Sequence, residues 1–294
     1  MAIENRTSAD IARANNEPLY GTIKSADVFF LLEYNGVFTH DAWSDARIPS
    51  EVKSKLADYP NGRALLIRQP NQLQAVDRKT MLFVVHANAP KPAIYSFELQ
   101  SYNDVMLLDL DAILAGKVQS RYDAPLYAIC TNGRRDECCS KYGIALYNAM
   151  IEKEHEHVWQ VSHIGGHRFA GTMYCFPHAL CYGYLDPDDT DTLIHTYRNG
   201  NLWLEKLRGQ AIHDKPIQVA EYFLRRELDD SKIGSVQYLS NTEDDGQWHI
   251  TFAHADTQYT VTIEADTPLQ VIATTGDTHY KTVPQFKFVS YESA

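Results

Sequence analysis

Long apolar runs are missing from this sequence: no segment approaches the roughly 20 residues that a membrane helix needs, so no membrane association is expected. Positive charge is also short, with 27 Lys and Arg against 38 Asp and Glu for a net charge of −11. Nucleic acids and anionic membranes are held by clustered Lys and Arg, so neither is an expected partner. The opening MAIENRTSADIARANNEP lacks the basic start and apolar stretch of a secretory signal, and none is expected. Cysteine is sparse and odd in number. Five thiols in 294 residues do not make a disulfide framework; they suit a reducing compartment, and the cytoplasm is the expected location. There is no Cys-x-x-Cys, and no Gly-x-Gly-x-x-Gly marks a nicotinamide or flavin site.

What is present suits a packed globular chain. Hydrophobic residues make up 44% and charged ones 22%, and the length is enough for two modest domains. The first twenty or so residues read as an amphipathic helix or a loose arm. Val28–Tyr34, Ala64–Arg68, Met81–His86 and Ala93–Leu99 are short and rich in branched or aromatic residues, as strands are. Pro49–Tyr59 reads as a helix capped by Ser50 and ended by Asn61-Gly62.

A similar alternation follows. Leu126–Cys130 predicts a strand, Asp136 caps a helix running to about Glu152, and His157–Ser162 predicts a second strand. Thr172–Phe176 and Ala179–Leu185 form a strand pair around Pro177, and Asp191–Tyr197 starts another helix. This order is that of a thioredoxin-like fold with its second helix shortened or replaced, and the first half can be read in nearly the same order. Ile217–Leu228 is an amphipathic helix, and the period-two runs 247–252, 259–263 and 285–289 predict a half-exposed antiparallel sheet. The expected fold class is therefore α/β, with two thioredoxin-like units in tandem and a small C-terminal α+β appendage. The boundaries fall at 1–122 (no cysteine), 123–212 and 213–294.

The chemistry gathers in the second unit. Cys130 closes a strand and Cys139 falls in the first turn of the next helix, where unpaired N–H groups and the helix dipole favour thiolate. Arg134 and Arg135 push the same way. The vicinal Cys138 and Cys139 can hardly both face inward, so packing alone leaves one of them unexplained. His163 and His167 flank Ile-Gly-Gly, whose glycines let the backbone turn tightly against a bulky inorganic group. Both loops should leave one edge of the sheet, where α/β sheets bind ligands. His155 and His157 read as solvated, and His178 as a turn residue. Two cysteines and two histidines together predict a metal site, and a Cys2His2 donor set suits zinc as well as iron.

CTNGRRDECCSKYG, HIGGHRFAGTMYCFP and the later RGQ…PIQVAEYFLRREL resemble the sucrase/ferredoxin-like family, firmly from about Leu126 to Leu228 and more loosely over the first 120 residues. The resemblance implies a thioredoxin-like protein whose 2Fe–2S cluster is held by Cys130, Cys139, His163 and His167. Nothing supports sucrose hydrolysis, since the acidic run from Asp186 to Asp191 reads as a solvated helix start. Histidine ligands raise the potential of such a cluster, to about −150 to +300 mV in Rieske centres against about −400 mV in plant-type ferredoxins. One-electron transfer is expected, coupled to protonation at His163 or His167, with a potential falling by up to about 59 mV per pH unit. Arg168 is the candidate charge behind the ligands or at a docking face, with an ordinary surface ion pair as the equal alternative. Reducing equivalents should come from a separate redox partner or reductase, making the chain an electron carrier or oxidoreductase component rather than a stand-alone enzyme. Nothing specifies an oligomeric state. The rival readings are a structural zinc site on the same four residues and a thiol oxidoreductase using Cys138, the latter disfavoured by the missing Cys-x-x-Cys.

Overall fold

The structure is a computed structural model that describes residues 6–70 and 79–293; the first five residues of the opening arm lie outside that range. Ten strands of the described residues form one mixed sheet. In chain order they are β1 (Val28–Glu33), β2 (Gly62–Arg68), β3 (Thr80–His86), β4 (Ala93–Leu99), β5 (Arg121–Tyr122), β6 (Leu126–Cys130), β7 (Val158–Val161), β8 (Met173–Phe176), β9 (Leu180–Tyr182) and β10 (Leu207–Gln210). Their spatial order is β10-β9-β8-β6-β7-β2-β1-β3-β4-β5, which repeats outward from its centre. In each direction a parallel pair (β1 with β2, β6 with β7) is followed by antiparallel strands. The halves join through β2 and β7, paired antiparallel at Ile67 with Val161 and Arg68 with Gln160.

All six residues of β1 are buried, because both faces of the sheet are covered. Phe29 and Leu31 enter one core, while Val28, Phe30 and Leu32 enter another, as the period of two requires. The first core is shared by both halves. Phe29 on β1 meets the rings of Tyr174 and Phe176 on β8 at 5.3 and 5.0 Å. In a flat sheet those strands, four places apart, would be separated by about 19 Å. The sheet therefore curls until its halves face each other across this core. The outer faces are covered in the first half by α2 (Ala42–Asp45), α3 (Ser50–Ala57) and α4 (Leu110–Leu114). In the second half α5 (Glu137–Glu154) and α6 (Thr190–Arg198) take that place.

Most strands and helices expected from periodicity are present, and several elements differ. Ser50 is the first helical residue rather than the cap; Pro49 holds the cap position and the Ser50 hydroxyl turns to Glu51. Residues 102–107 form a 3₁₀ turn ahead of α4. The edge strands β5 and β10 were not expected: one has two residues, and the other hides a buried arginine, Arg208. The opening arm forms α1 (Ser8–Ala14), capped by Thr7.

The C-terminal region is a separate antiparallel sheet of β11 (Val236–Asp244), β12 (Gln247–His254), β13 (Thr257–Val271) and β14 (Lys281–Ser293). α7 (Lys215–Leu228) lays Val219, Ala220 and Leu224 on Ile250, Phe252, Val261 and Ile263. β11 is an edge strand, exposed over most of its length, and has little apolar patterning. Among the described residues no helix is long and apolar enough to cross a membrane.

The contact that most constrains the second half is between α5 and the end of β6. A Cβ placed on Gly143 would stand 2.0 Å from the carbonyl oxygen of Cys130. Gly143→Ala should therefore push α5 off the strand and cost about 1–3 kcal/mol; urea unfolding of the variant measures the loss, and an unchanged midpoint would show that the contact is not tight.

Candidate metal centre

Because β6 and β7 run parallel, their carboxyl ends share one edge of the sheet, with Cys130 opposite Val161. Cys130 is the last residue of β6. The 131–136 loop turns the chain into α5, whose N-cap is Asp136; its side chain accepts a hydrogen bond from the Cys138 amide. Cys139 then lies in the first turn, and the close approach at Gly143 brings that turn against the strand end. His163 comes from the loop after β7. The ligand atoms of Cys130, Cys139 and His163 lie within 4.8 Å of one another, with His163 Nδ1 3.9 Å from Cys139 Sγ. Three of the four expected residues thus form one group.

His167 stands beside this group rather than in it. Its ring centroid is 5.3 Å from that of His163. The chain reverses between them through Gly165 and Gly166, at φ +92° and +68°. At Gly166 a Cβ would also meet the Arg208 guanidinium at 2.3 Å. His167 Nε2 lies 2.6 Å from the carbonyl oxygen of Ala273 and 3.5 Å from Asp136 Oδ2. Its other nitrogen, Nδ1, is buried without a hydrogen-bond partner among the described residues. A buried polar atom of this kind is open to a ligand, a water or an ion.

The electrostatics favour one negative charge on the sulfur pair. A hydrogen bond from Cys139, with a further one from His163, holds Cys130 well below the usual thiol range despite its burial. Cys139 is pushed up in turn by sharing its proton with Cys130. Burial pushes His167 below its ordinary value, with Asp136 opposing, so the ring is neutral near pH 7. Burial also works against the charge of Asp136, but bonds from Cys138 and Thr275 hold its carboxyl below the usual range. Two sulfurs and an imidazole close together, with a second imidazole adjacent, are a suitable donor set for zinc or an iron–sulfur group.

Two arginines invisible as site residues hold the histidine loop. Arg63 on β2 donates to the Ile164 carbonyl at 2.7 Å and to the Tyr174 hydroxyl at 2.9 Å. Arg208 on β10, fully buried, donates to the carbonyls of Gly165 at 2.9 Å and Thr22 at 2.7 Å. Arg63 reaches this loop because β2 pairs antiparallel with β7, so the chain after Val161 runs back along β2; that long-range pairing carries no local spacing that could have signalled it. Beside His163 opens a cleft of about 310 Å³, also lined by His40, Asp41, Trp43, Arg63 and Arg135.

Several other expectations change. Cys138 and Cys139 are both buried, because α1 and the C-terminal region build a second interior around Cys138. Its sulfur lies 3.3 Å from the Ala9 amide and from the hydroxyls of Ser8 and Thr275. Burial raises its pKa, which makes it a poor nucleophile. Arg168 is not a docking charge: it is largely buried and paired with Glu17 at 2.6 Å. Arg135 is matched by Asp41 at 3.1 Å rather than by a cysteine, and Arg134 is exposed. His157 is half-buried on the Tyr122 hydroxyl, and His178 bonds that of Tyr197.

Comparison with known proteins fits this picture. Altered inheritance of mitochondria protein 32 of Meyerozyma guilliermondii is 30% identical over 95 residues, 29% of this chain and 34% of that protein. The matched segment thus spans about a third of that relative. No solved structure matches. The sequence profile described as sucrase/ferredoxin-like matches residues 19–209, which takes in the ten-stranded sheet almost to its last residue and stops short of α7 and the C-terminal sheet. The shared sheet and the Cys/His group at its edge lie within one family's bounds, and the chain belongs to the sucrase/ferredoxin-like family.

Proposed function

We propose that this chain is a 2Fe–2S redox protein that uses Cys130, Cys139, His163 and His167 as ligands and passes single electrons to or from a separate partner. The observation that carries the reading is the pairing of a thiolate-favouring cysteine couple with two neighbouring histidines, one of which keeps a buried, unpartnered Nδ1. When bound, the cluster would supply reversible one-electron chemistry, at a potential raised by imidazole ligands. The chain's own part is to orient the donors and exclude water. Cys130 and Cys139 are almost wholly buried, and the Arg63 and Arg208 bonds fix the loop between the histidines. A proton taken up on reduction would sit on the outer nitrogen of His163, since that of His167 already faces the Ala273 carbonyl.

His163 is partly exposed on the floor of the cleft, so we place the exchange of electrons with a reductase or acceptor there. We read each half of the large sheet as a thioredoxin-like unit, 1–122 and 123–212, with 213–294 as an appendage. Support comes from the strand order, in which both halves run second, first, third, fourth with the third strand reversed. Five free thiols fit a reducing compartment such as the cytoplasm. A second reading, a zinc ion on the same residues, is favoured by the compactness of the Cys130, Cys139 and His163 group.

Protein purified without oxygen should contain iron and acid-labile sulfide in equal amounts and absorb in the visible. Colourless protein carrying zinc alone would sink the cluster reading. His163→Cys and His167→Cys should each keep the cluster and lower its midpoint potential, by on the order of 100 mV, because thiolate adds negative charge. Protein-film voltammetry reads the change, and a potential that rises or stays put would count against histidine ligation.

A further inference from the structure

The C-terminal sheet lies outside the family match, yet one of its connections reaches the metal centre. After β13 ends at Val271, residues 272–277 run across the start of α5 before β14 begins at Lys281. The segment is closed on itself by Thr274 and Asp277, whose groups exchange two hydrogen bonds of 3.1 Å. Thr275 is its anchor. The Thr275 amide donates to Asp136 Oδ2 at 2.9 Å and its hydroxyl donates to Asp136 Oδ1 at 2.9 Å. That hydroxyl oxygen also accepts from the Ser8 amide at 3.0 Å, so α1 is tied into the same junction.

The anchor determines what the neighbouring residue does. The Ala273 carbonyl lies 2.6 Å from His167 Nε2, and a carbonyl oxygen can only accept. Nε2 must then carry a proton, and in the one-proton form that can bind a metal the lone pair is on Nδ1. Nδ1 is the atom found buried and unpartnered. In metal sites the hydrogen bond on the outer nitrogen of a histidine sets which nitrogen binds and how the ring is turned. Asp136 ties the two events together, since one carboxylate caps the helix bearing Cys139, holds Thr275 and stands 3.5 Å from His167.

We propose that residues 272–277 are a strap that orients His167, fixing its proton on Nε2 and presenting Nδ1 to the metal, so that the C-terminal appendage is a working part of the centre. Thr275 and Asp136 are positioning residues here. The inference rests on His167 being a ligand, as proposed above, but its first readout does not need the metal.

The test uses full-length protein and two variants. Thr275→Pro removes both donors to Asp136, and Thr275→Val removes the hydroxyl alone. In metal-free wild-type protein, a long-range ¹H–¹⁵N correlation spectrum should show His167 in the single Nε2–H form. Thr275→Pro should give mixed tautomers, and amide exchange across 272–277 should speed up by more than about tenfold, the worth of a charge-assisted hydrogen bond. Thr275→Val should move both readouts the same way by less, and it carries the test if the proline variant does not fold. In loaded protein, the variants should change the imidazole-nitrogen couplings in pulsed EPR. A His167 tautomer that is Nδ1–H in the wild type, or that is unchanged when the strap exchanges freely, would overturn the proposal. Failure of the ligand reading looks different: His167→Ala would take up its full iron while the tautomer result on metal-free protein stood.

Discussion

The closeness of α5 to the end of β6 is the constraint on which the rest of the site depends. A helix this near a strand terminus needs a residue without a side chain at the crossing, and Gly143 supplies it against the Cys130 carbonyl. The first turn of α5 is then pressed onto the strand end. Cys139 faces Cys130 closely enough to share a proton, and one of the two sulfurs becomes a thiolate inside a buried site. Such a charge is costly unless something cationic or hydrogen-bonding meets it. His163 does so at the mouth of the pair.

The second feature is that the site is held by parts far apart in sequence. Arg63 comes from the first half of the sheet, Arg208 from its last strand, and Ala273 and Thr275 from the C-terminal region. Each bonds backbone or side-chain groups around the two histidines or the helix start. The pairing of β2 with β7 makes the first of these contacts available, and the segment after β13 makes the last. The donor atoms are thus set by local geometry and their orientation by long-range contacts, as well-ordered metal sites require.

This division explains what could be read from the sequence. The candidate donors were legible because each carries a local signature: a strand ending in Cys130, an Asp-capped helix start at Cys139, and glycines between His163 and His167. The alternation of strands and helices was legible from period-two and amphipathic patterns. The inward placement of Cys138 was not, because its surroundings come from α1 and Thr275, 130 and 137 residues away in the chain. The partner of Arg168, Glu17 on the opening arm, was out of reach for the same reason. β11 stayed hidden because its residues after Tyr238 are mostly polar and exposed and show no apolar alternation.

The central claim is that an iron–sulfur cluster sits between this cysteine pair and both histidines. Pulsed EPR of the chemically reduced protein tests it most directly, because unpaired spin on the cluster couples to nitrogen only through bound imidazole or close hydrogen bonds. The account predicts a half-integer spin signal with strong couplings from two histidine nitrogens, each lost when its own residue, His163 or His167, is replaced. Reduced protein with no such signal, or with a signal showing no strong nitrogen coupling, would contradict it.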